Sequence, residues 1–256
     1  MESSLQKIIK KFRYNLKKGK ALIGGWIQIS NSNIAEIMSS ENYSWIAFDM
    51  EHGSFSPSDL PDLFRAVELK NKLSLVRLPN QNPQVCNQVL DAGSGGVIIP
   101  NIKNANQLIS IIKACYLPPL GTRGVGYSRA NLYGKNFSKY KKQKNNPIII
   151  AIIENINSVE NLDKILSVKG LDAILIGPYD LSASMGITGK FNNPRFKLAV
   201  NKIKTKSKKL KIPCGIHVIN PRYKELKKCI KQGYQFLPYC TDTILLNSAL
   251  KNSFKK

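Results

Sequence analysis

Eight short apolar runs, separated by segments of helical periodicity, constrain the fold of this 256-residue chain more than any other feature. The runs are rich in β-branched residues and lack polar alternation, so they predict parallel strands that are buried on both faces. Eight strand–helix alternations in about 250 residues are typical of a (β/α)₈ barrel. We therefore predict an α/β protein with the (β/α)₈ TIM-barrel fold. The runs cover residues 21–27, 44–50, 73–78, 95–100, 147–154, 171–177, 213–218 and 234–240.

The segments between the runs carry apolar residues at helical spacing, and several begin with proline after a polar cap. Residues 1–20 are amphipathic and predict a leading helix, and residues 116–146 form one long connection. We expect the first half of this connection to be ordered and 139–146 to be solvated, within a single domain spanning 1–256. The predicted helices cover 33–40, 57–69, 83–92, 105–115, 159–166, 194–210, 223–232 and 241–251.

An open, doubly wound sheet is the alternative fold. Such a sheet usually has a glycine-rich phosphate turn with the pattern GxGxxG after its first strand. The string GGWIQIS at 24–30 does not fit that pattern, so the barrel is favoured.

The net charge of +23 comes almost entirely from lysine, since the chain has only seven arginines. Such a charge could also indicate nucleic-acid binding. Proteins that bind nucleic-acid phosphates, however, favour arginine interleaved with aromatic residues. A solvated basic surface is the better interpretation, and we expect no nucleic-acid partner.

No apolar run reaches the roughly 18 residues that a membrane span needs. The five cysteines lack metal-site or redox-motif spacing, which predicts reduced thiols in a cytoplasmic protein.

Polar residues stand where several of the apolar runs end, which is where barrels keep their chemistry. Glu154 and Asp180 follow consecutive predicted strands. Adjacent parallel strands lie about 4.8 Å apart, so the two carboxylates could hold one Mg²⁺ or Mn²⁺ ion and leave positions for substrate. The alternative is that each carboxylate only caps a following helix.

His52 and Arg77 also follow predicted strands. Histidine is the usual base near neutral pH, and a buried arginine needs an anionic partner. For Arg77 that partner is either an anionic substrate or, alternatively, Asp49 or Glu51. None of the last four strands carries a lysine, which argues against a Schiff-base mechanism and for metal-dependent enolate chemistry.

Several strings, in this order along residues 20–250, resemble the metal-dependent pyruvate aldolases grouped with citrate lyase β-type proteins. They include the 4-hydroxy-2-oxoheptanedioate and 2-dehydro-3-deoxyglucarate aldolases. The set of matching motifs is specific, although each string alone is short. The strings are GGWIQISNS, FDMEHGSFS, LVRLPN, LDAGSGGVIIPNIKNANQ, YLPPLGTRGVG, IIENINSVENLDKIL, LDAILIGPYDLSASMG and CTDTILL.

The resemblance implies a (β/α)₈ barrel assembled as a homo-oligomer, a hexamer, that uses a divalent ion such as Mg²⁺, Mn²⁺ or Co²⁺. It implies that Glu154 and Asp180 bind the metal and that Arg77 binds the oxygen that becomes the enolate. It also implies that His52, paired with Asp91, is the acid–base group. Taken alone, Asp91 would be interpreted as a turn residue before the fourth strand.

The resemblance further assigns substrate-binding residues. The pyruvate carboxylate would meet the backbone of Gly177, Pro178 and Tyr179. Trp26 and His217 match positions that line the aldehyde pocket, and Val125 matches one that reaches a neighbouring subunit's site. Two positions depart from the usual pattern: Ile152 stands where many members have glutamine, and His217 stands where some have an apolar residue. His217 could therefore favour a polar or anionic aldehyde, or it could point into the core.

The function implied is a class II aldolase that reversibly cleaves a 4-hydroxy-2-oxo acid to pyruvate and an aldehyde through a metal-stabilised enolate. One alternative is another enolate reaction at the same site, such as decarboxylation of oxaloacetate. The other is a non-catalytic basic binding protein on a barrel scaffold. The expected partners are thus a small 2-oxo acid and an aldehyde, with no membrane.

Overall fold

The structure is a computed structural model that describes residues 3–142 and 146–254. Eight parallel strands pair in chain order, and the last pairs with the first to close a barrel. This confirms the predicted (β/α)₈ architecture, and every predicted strand is present. The strands are β1 Leu22–Ile27, β2 Trp45–Asp49, β3 Leu73–Arg77, β4 Gly96–Ile99, β5 Ile148–Ile153, β6 Ala173–Ile176, β7 Cys214–Ile216 and β8 Phe236–Thr241.

The helices surround the barrel. Two of them, Phe137–Lys141 and Pro178–Ser184, were not among the predicted helices, and two predicted helices have different bounds. The helix predicted at 57–69 begins later, because residues 57–59 form a turn in which Asp59 accepts a hydrogen bond from the Ser56 backbone. The helix predicted at 159–166 is two short helices that meet at Asn161. The helices are α1 Ser4–Lys17, α2 Ser32–Ser40, α3 Leu60–Glu68, α4 Pro83–Asp91, α5 Ala105–Cys115, α6 Phe137–Lys141, α7 Ile156–Glu160, α8 Leu162–Leu166, α9 Pro178–Ser184, α10 Pro194–Lys209, α11 Tyr223–Lys231 and α12 Asp242–Ser253.

The amino-terminal mouth of the barrel is closed by aromatic side chains and by α1. Trp45 and Phe236 stack inside with ring centroids 4.2 Å apart, and Phe12 of α1 packs edge-on against Phe236. A Cβ atom at Gly24 would overlap the Trp45 ring, so glycine is needed there. These aromatic side chains and α1 therefore cover the interior of the barrel at its amino-terminal end.

The prediction of five reduced cysteines is wrong for one pair, because Cys86 and Cys115 form a disulfide. Their Cα atoms lie 6.3 Å apart although 29 residues separate them in sequence. The pairing arises because α4 and α5 pack side by side, a tertiary contact that local spacing does not encode. The other three cysteines are unpaired among the described residues.

The long connection runs over the amino-terminal face of the barrel. Arg123 pairs with Asp91 at 2.5 Å, and Arg129 pairs with Glu68 at 2.7 Å, so its first half is held in place as expected. The expectation that 139–146 is solvated is wrong for Tyr140, which is buried within α6. Part of that prediction, residues 143–145, lies outside the described residues.

The last helix, α12, projects from the barrel. Asp242 at its first position is buried, and its contacts are with β1 and β8. Leu246 and Leu250 of this helix are 52% and 50% exposed, and Phe254, directly after it, is 87% exposed. None of the helices in the described part of the chain is long and apolar enough to cross a membrane.

Candidate active site

The two predicted metal-binding carboxylates lie at neighbouring strand ends on the carboxyl-terminal rim. Glu154 follows β5 and is only 7% exposed, and its Oε1 accepts a hydrogen bond of 2.6 Å from the Asn101 backbone. Asp180 is exposed in the first turn of α9, directly after β6. Gly177 lies between them, and a Cβ there would come 2.7 Å from Glu154 Oε2. Glycine therefore leaves room for the Glu154 carboxylate to face the mouth.

The charge balance around Glu154 favours a cation. Burial, together with the nearby charges of Asp180 and Glu51, raises the pKa of Glu154 to about 7 against the opposing effect of the Asn101 hydrogen bond. Burial likewise raises the pKa of Glu51, whose Oε2 is buried without an aligned hydrogen bond. Carboxylates that repel one another in this way are relieved by a divalent ion, and oxygen ligands suit Mg²⁺ and Mn²⁺. The residues present therefore fit a hard divalent cation.

Side chains of the protein alone would not fill the coordination sphere of such an ion. Among the described residues, no three His, Cys, Asp or Glu side chains are grouped closely enough to form a complete metal site. Two carboxylates leave most positions of an octahedral ion for substrate and water. An open coordination sphere is what a catalytic ion requires, whereas a structural ion is usually enclosed.

Arg77 ends β3 and is held by carboxylates on both sides. Its Nε and Nη2 donate to Asp49 at 2.7 and 2.6 Å, and its Nη1 lies 2.9 Å from Glu51 Oε2. Burial alone would raise the pKa of Asp49 and lower that of Arg77, because it disfavours both charged forms. The hydrogen bonds and the attraction between the two side chains outweigh burial, so the pKa of Asp49 falls to about 2 and the pKa of Arg77 rises. The alternative partners considered for Arg77 are thus both present, and they orient it at the rim.

Asp49 is a site residue that sequence reasoning considered only as a possible partner of Arg77. It is fully buried, and its Oδ2 also accepts hydrogen bonds of 3.1 Å from Trp26 Nε1 and from Gln28 Nε2. Its Oδ1 accepts from the backbone amides of Glu51 and His52. The available signal was its position as the charged residue near the end of the second apolar run.

His52 lies on the rim as predicted, but Asp91 does not lie beside it. His52 is exposed in the loop after β2, close enough to Glu51 to influence its pKa. Asp91 is the last residue of α4 and pairs with Arg123. A helix that follows a strand runs back toward the amino-terminal face, so Asp91 is at the opposite end of the barrel. The expected His52–Asp91 pair is therefore not formed within one chain.

Trp26 and His217 meet inside the mouth, with ring centroids 4.9 Å apart. Trp26 is 2% exposed and lies beneath the Arg77 guanidinium, so it presents little open surface to a substrate. Burial and the charge of Arg77 lower the pKa of His217 to about 3 despite its hydrogen bond to the Cys240 backbone. A lowered pKa favours the neutral imidazole, which can offer a hydrogen bond to the mouth, and contact of His217 with an aldehyde stays a prediction.

The remaining predicted contacts fall at two places. Gly177 precedes α9, with Pro178 and the half-exposed Tyr179 in its first turn at the rim. Val125 is 43% exposed in the long connection, on the amino-terminal face with Asp91. Three cavities of about 460, 540 and 280 Å³ also open on that face, and none of the three is lined by Glu154, Asp180, His52 or Arg77.

A closed barrel with polar residues grouped on its carboxyl-terminal rim is typical of a barrel enzyme. Residues 22–249 match the HpcH/HpaI aldolase/citrate lyase family. The match covers most of the chain, and the chain belongs to that family. It is similar to 2-keto-3-deoxy-L-rhamnonate aldolase of Salmonella paratyphi A, with 32% identity over 244 residues that cover 94% of this chain and 90% of the relative. The predicted enzyme class, a carbon–carbon lyase of the aldolase type, is confirmed.

Solved structures agree on the fold. An HpcH/HpaI aldolase/citrate lyase family protein from Burkholderia cenocepacia has a TM-score of 0.89 at 24% identity, covering 95% of this chain and 97% of that protein. The citrate lyase β subunit of M. tuberculosis, complexed with oxaloacetate and magnesium, has a TM-score of 0.59 at 12% identity and covers 90% and 95%.

Proposed function

We propose that this protein is a metal-dependent aldolase that reversibly cleaves a 4-hydroxy-2-oxo acid to pyruvate and an aldehyde. The observation that carries the proposal is the group of mutually repelling carboxylates Glu51, Glu154 and Asp180 beside a fixed arginine. A divalent cation at this point would offset the charge of the carboxylates and leave coordination positions for a 2-oxo acid. The activity in the name of the Salmonella relative supports the same class of substrate.

Glu154 and Asp180 are the proposed metal ligands, and Mg²⁺, Mn²⁺ and Co²⁺ are the proposed ions. The magnesium named with the M. tuberculosis protein supports a divalent ion of this kind. When bound, the ion supplies positive charge to the oxygens of the 2-oxo acid.

The chain's own residues have separate roles in this proposal. Arg77 donates hydrogen bonds to the carbonyl oxygen of the 2-oxo acid and stabilises the negative charge that develops there on cleavage. His52 removes the proton from the 4-hydroxyl group and returns a proton to the three-carbon product. The backbone amides at the start of α9, around Gly177, Pro178 and Tyr179, bind the substrate carboxylate.

We also propose that the active site is completed in a homo-oligomer, by resemblance a hexamer. The exposed apolar side chains of α12 and of the long connection support assembly. So does the position of Asp91 and Val125 on the face opposite His52, because they could reach a His52 only in a neighbouring subunit. We propose further that the chain is one domain, that it acts in the cytoplasm and that it needs neither nucleic acid nor a membrane.

The proposed aldehyde is neutral and polar. A neutral His217 beside Trp26 offers no charge for a carboxylate or a phosphate. Ile152, where relatives often have glutamine, is buried under the rim against Gly177 and adds an apolar contact there. Aldehydes bearing a hydroxyl group should therefore be better acceptors than anionic ones.

Proton exchange at the methyl group of pyruvate tests this function without knowledge of the aldehyde. In D₂O with Mn²⁺, wild-type protein should replace the methyl protons of pyruvate, which proton NMR follows directly. Chelator should stop the exchange, and Asp180→Asn protein should neither exchange nor bind Mn²⁺. A screen of aldehydes with pyruvate should then yield new hydroxy-oxo acids. Full exchange by metal-free protein, or none with Mg²⁺, Mn²⁺ or Co²⁺, would refute the proposal.

A further inference from the structure

The side-chain amide of Gln28 connects the first turn of α12 with the carboxylate that holds Arg77. Gln28 directly follows β1 at the rim, and its Nε2 donates to Asp49 Oδ2 at 3.1 Å. Its Oε1 accepts a hydrogen bond of 2.8 Å from Thr243 Oγ1. A continuous path of hydrogen bonds therefore leads from Thr243 through Gln28 and Asp49 to Arg77.

The direction of each hydrogen bond in this path is fixed by the groups that take part. The ionised Asp49 carboxylate can only accept, so it must face the NH₂ group of the amide. The amide oxygen then faces Thr243, whose hydroxyl can donate. The Thr243 hydroxyl reinforces this orientation, and without it the amide oxygen would lose its partner in the path and the Gln28 side chain would be held by Asp49 alone.

The backbone of Gln28 is held by the same turn of α12. Asp242 is buried, and its two carboxylate oxygens accept hydrogen bonds of 2.9 Å each from the backbone amides of Gln28 and Ile29. Thr241 caps the helix by accepting from the Ile244 amide. Both the backbone and the side chain of Gln28 thus depend on the start of α12.

We propose that Gln28, Thr243 and Asp242 are positioning residues for Arg77; this rests on the proposed aldolase function. A hydrogen-bond donor stabilises a developing negative charge only if it is already aimed at the oxygen that acquires it. Asp49 aims Arg77 through two bonds, and Gln28 restrains the oxygen of Asp49 that accepts the shorter of them. Weakening the path should slow formation of the enolate while leaving the metal ligands Glu154 and Asp180 untouched.

A pair of substitutions at Thr243 tests the path with little change in shape. Thr243→Val removes the hydroxyl in a side chain of the same outline, and Thr243→Ser keeps the hydroxyl. Exchange of the pyruvate methyl protons at saturating Mn²⁺ should fall about 3-fold in Thr243→Val and stay within about 2-fold of wild type in Thr243→Ser, as expected for loss of one neutral hydrogen bond.

Gln28→Leu gives the larger perturbation, because it removes the donor to a charged carboxylate. The exchange rate should fall about 10-fold. Gln232→Leu makes the same chemical change at an exposed position on the amino-terminal face and should match wild type. Mn²⁺ affinity should remain at the wild-type value in all of these variants, whereas affinity for oxalate, a planar mimic of the pyruvate enolate, should fall with the exchange rate.

Three results would overturn the inference. The first is wild-type exchange in Thr243→Val, the second is an equal loss in Thr243→Ser, and the third is a parallel loss of Mn²⁺ affinity, which would indicate general damage. The Thr243 pair decides the question even if Gln28→Leu does not fold. Absence of exchange in the wild-type protein itself would refute the aldolase proposal, and this outcome is distinct from all three.

Discussion

Replacing Glu154 with glutamine should stabilise the metal-free protein at alkaline pH while removing its activity. Glu154 is buried beside Asp180 and Glu51, and these surroundings raise its pKa from 4.5 to about 7. Glutamine has nearly the same shape, and its carbonyl oxygen can still accept from the Asn101 backbone. It lacks the charge that burial and the neighbouring carboxylates oppose.

The size and sign of the effect follow from the shift in pKa. A rise of about 2.5 units corresponds to about 3 kcal/mol. Because the folded pKa is raised, the native state binds more protons than the unfolded state between pH 4.5 and 7. Stability from this group is therefore fully present below pH 4.5 and is lost as the pH rises through 7. Glu154→Gln should remove this dependence, so its advantage should reach about 3 kcal/mol at pH 8 and nearly vanish at pH 4.5.

Urea unfolding of both proteins in chelator at pH 4.5 and pH 8 measures this difference. Added Mn²⁺ should raise the wild-type midpoint at pH 8 and leave the Glu154→Gln midpoint unchanged, because only the wild type binds the ion. An equal difference at both pH values would refute the reasoning, as would a less stable Glu154→Gln protein at pH 8.

The other predictions concern the base, the buried carboxylate and the assembly. His52→Ala should lower aldol cleavage about 10²–10⁴-fold with little change in oxalate affinity in a calorimetric titration, and unchanged cleavage would exclude His52 as the base. Asp49→Asn should lower the unfolding free energy by about 3 kcal/mol, because it leaves the Arg77 charge buried with only Glu51; a urea midpoint equal to that of wild type would count against this. Leu250→Lys should reduce the assembly to smaller species in sedimentation, whereas an unchanged sedimentation coefficient would remove Leu250 from the contact.

The barrel could be predicted because a few consecutive residues are enough to indicate that a strand is buried. Each strand is a short apolar run, and polar residues at the carboxyl ends of the runs, such as Glu154 and Arg77, must lie on one rim in a parallel barrel. The same logic placed His52 correctly. These inferences needed only the order of residues along one strand and the direction of the strands.

The features that were missed depend on contacts between distant segments. The Cys86–Cys115 pair and the separation of Asp91 from His52 follow from helix packing and helix direction, which the spacing of residues does not encode. For Asp49, the sequence indicated only a position near the end of a strand and not its hydrogen-bond partners. Its hydrogen-bond partners come from two other strands, with Arg77 at the end of β3 and Trp26 and Gln28 in and directly after β1.

Because most of α12 is exposed, we expect the activity of this protein to depend on the protein concentration in the assay. The helix begins at Asp242, next to the residues that orient Gln28, and its exposed end carries Phe254. If neighbouring chains cover that end, assays at low protein concentration would sample protomers whose α12 is free to move. Specific activity should then rise with protein concentration, and a sample diluted just before measurement should lose activity over time rather than at once.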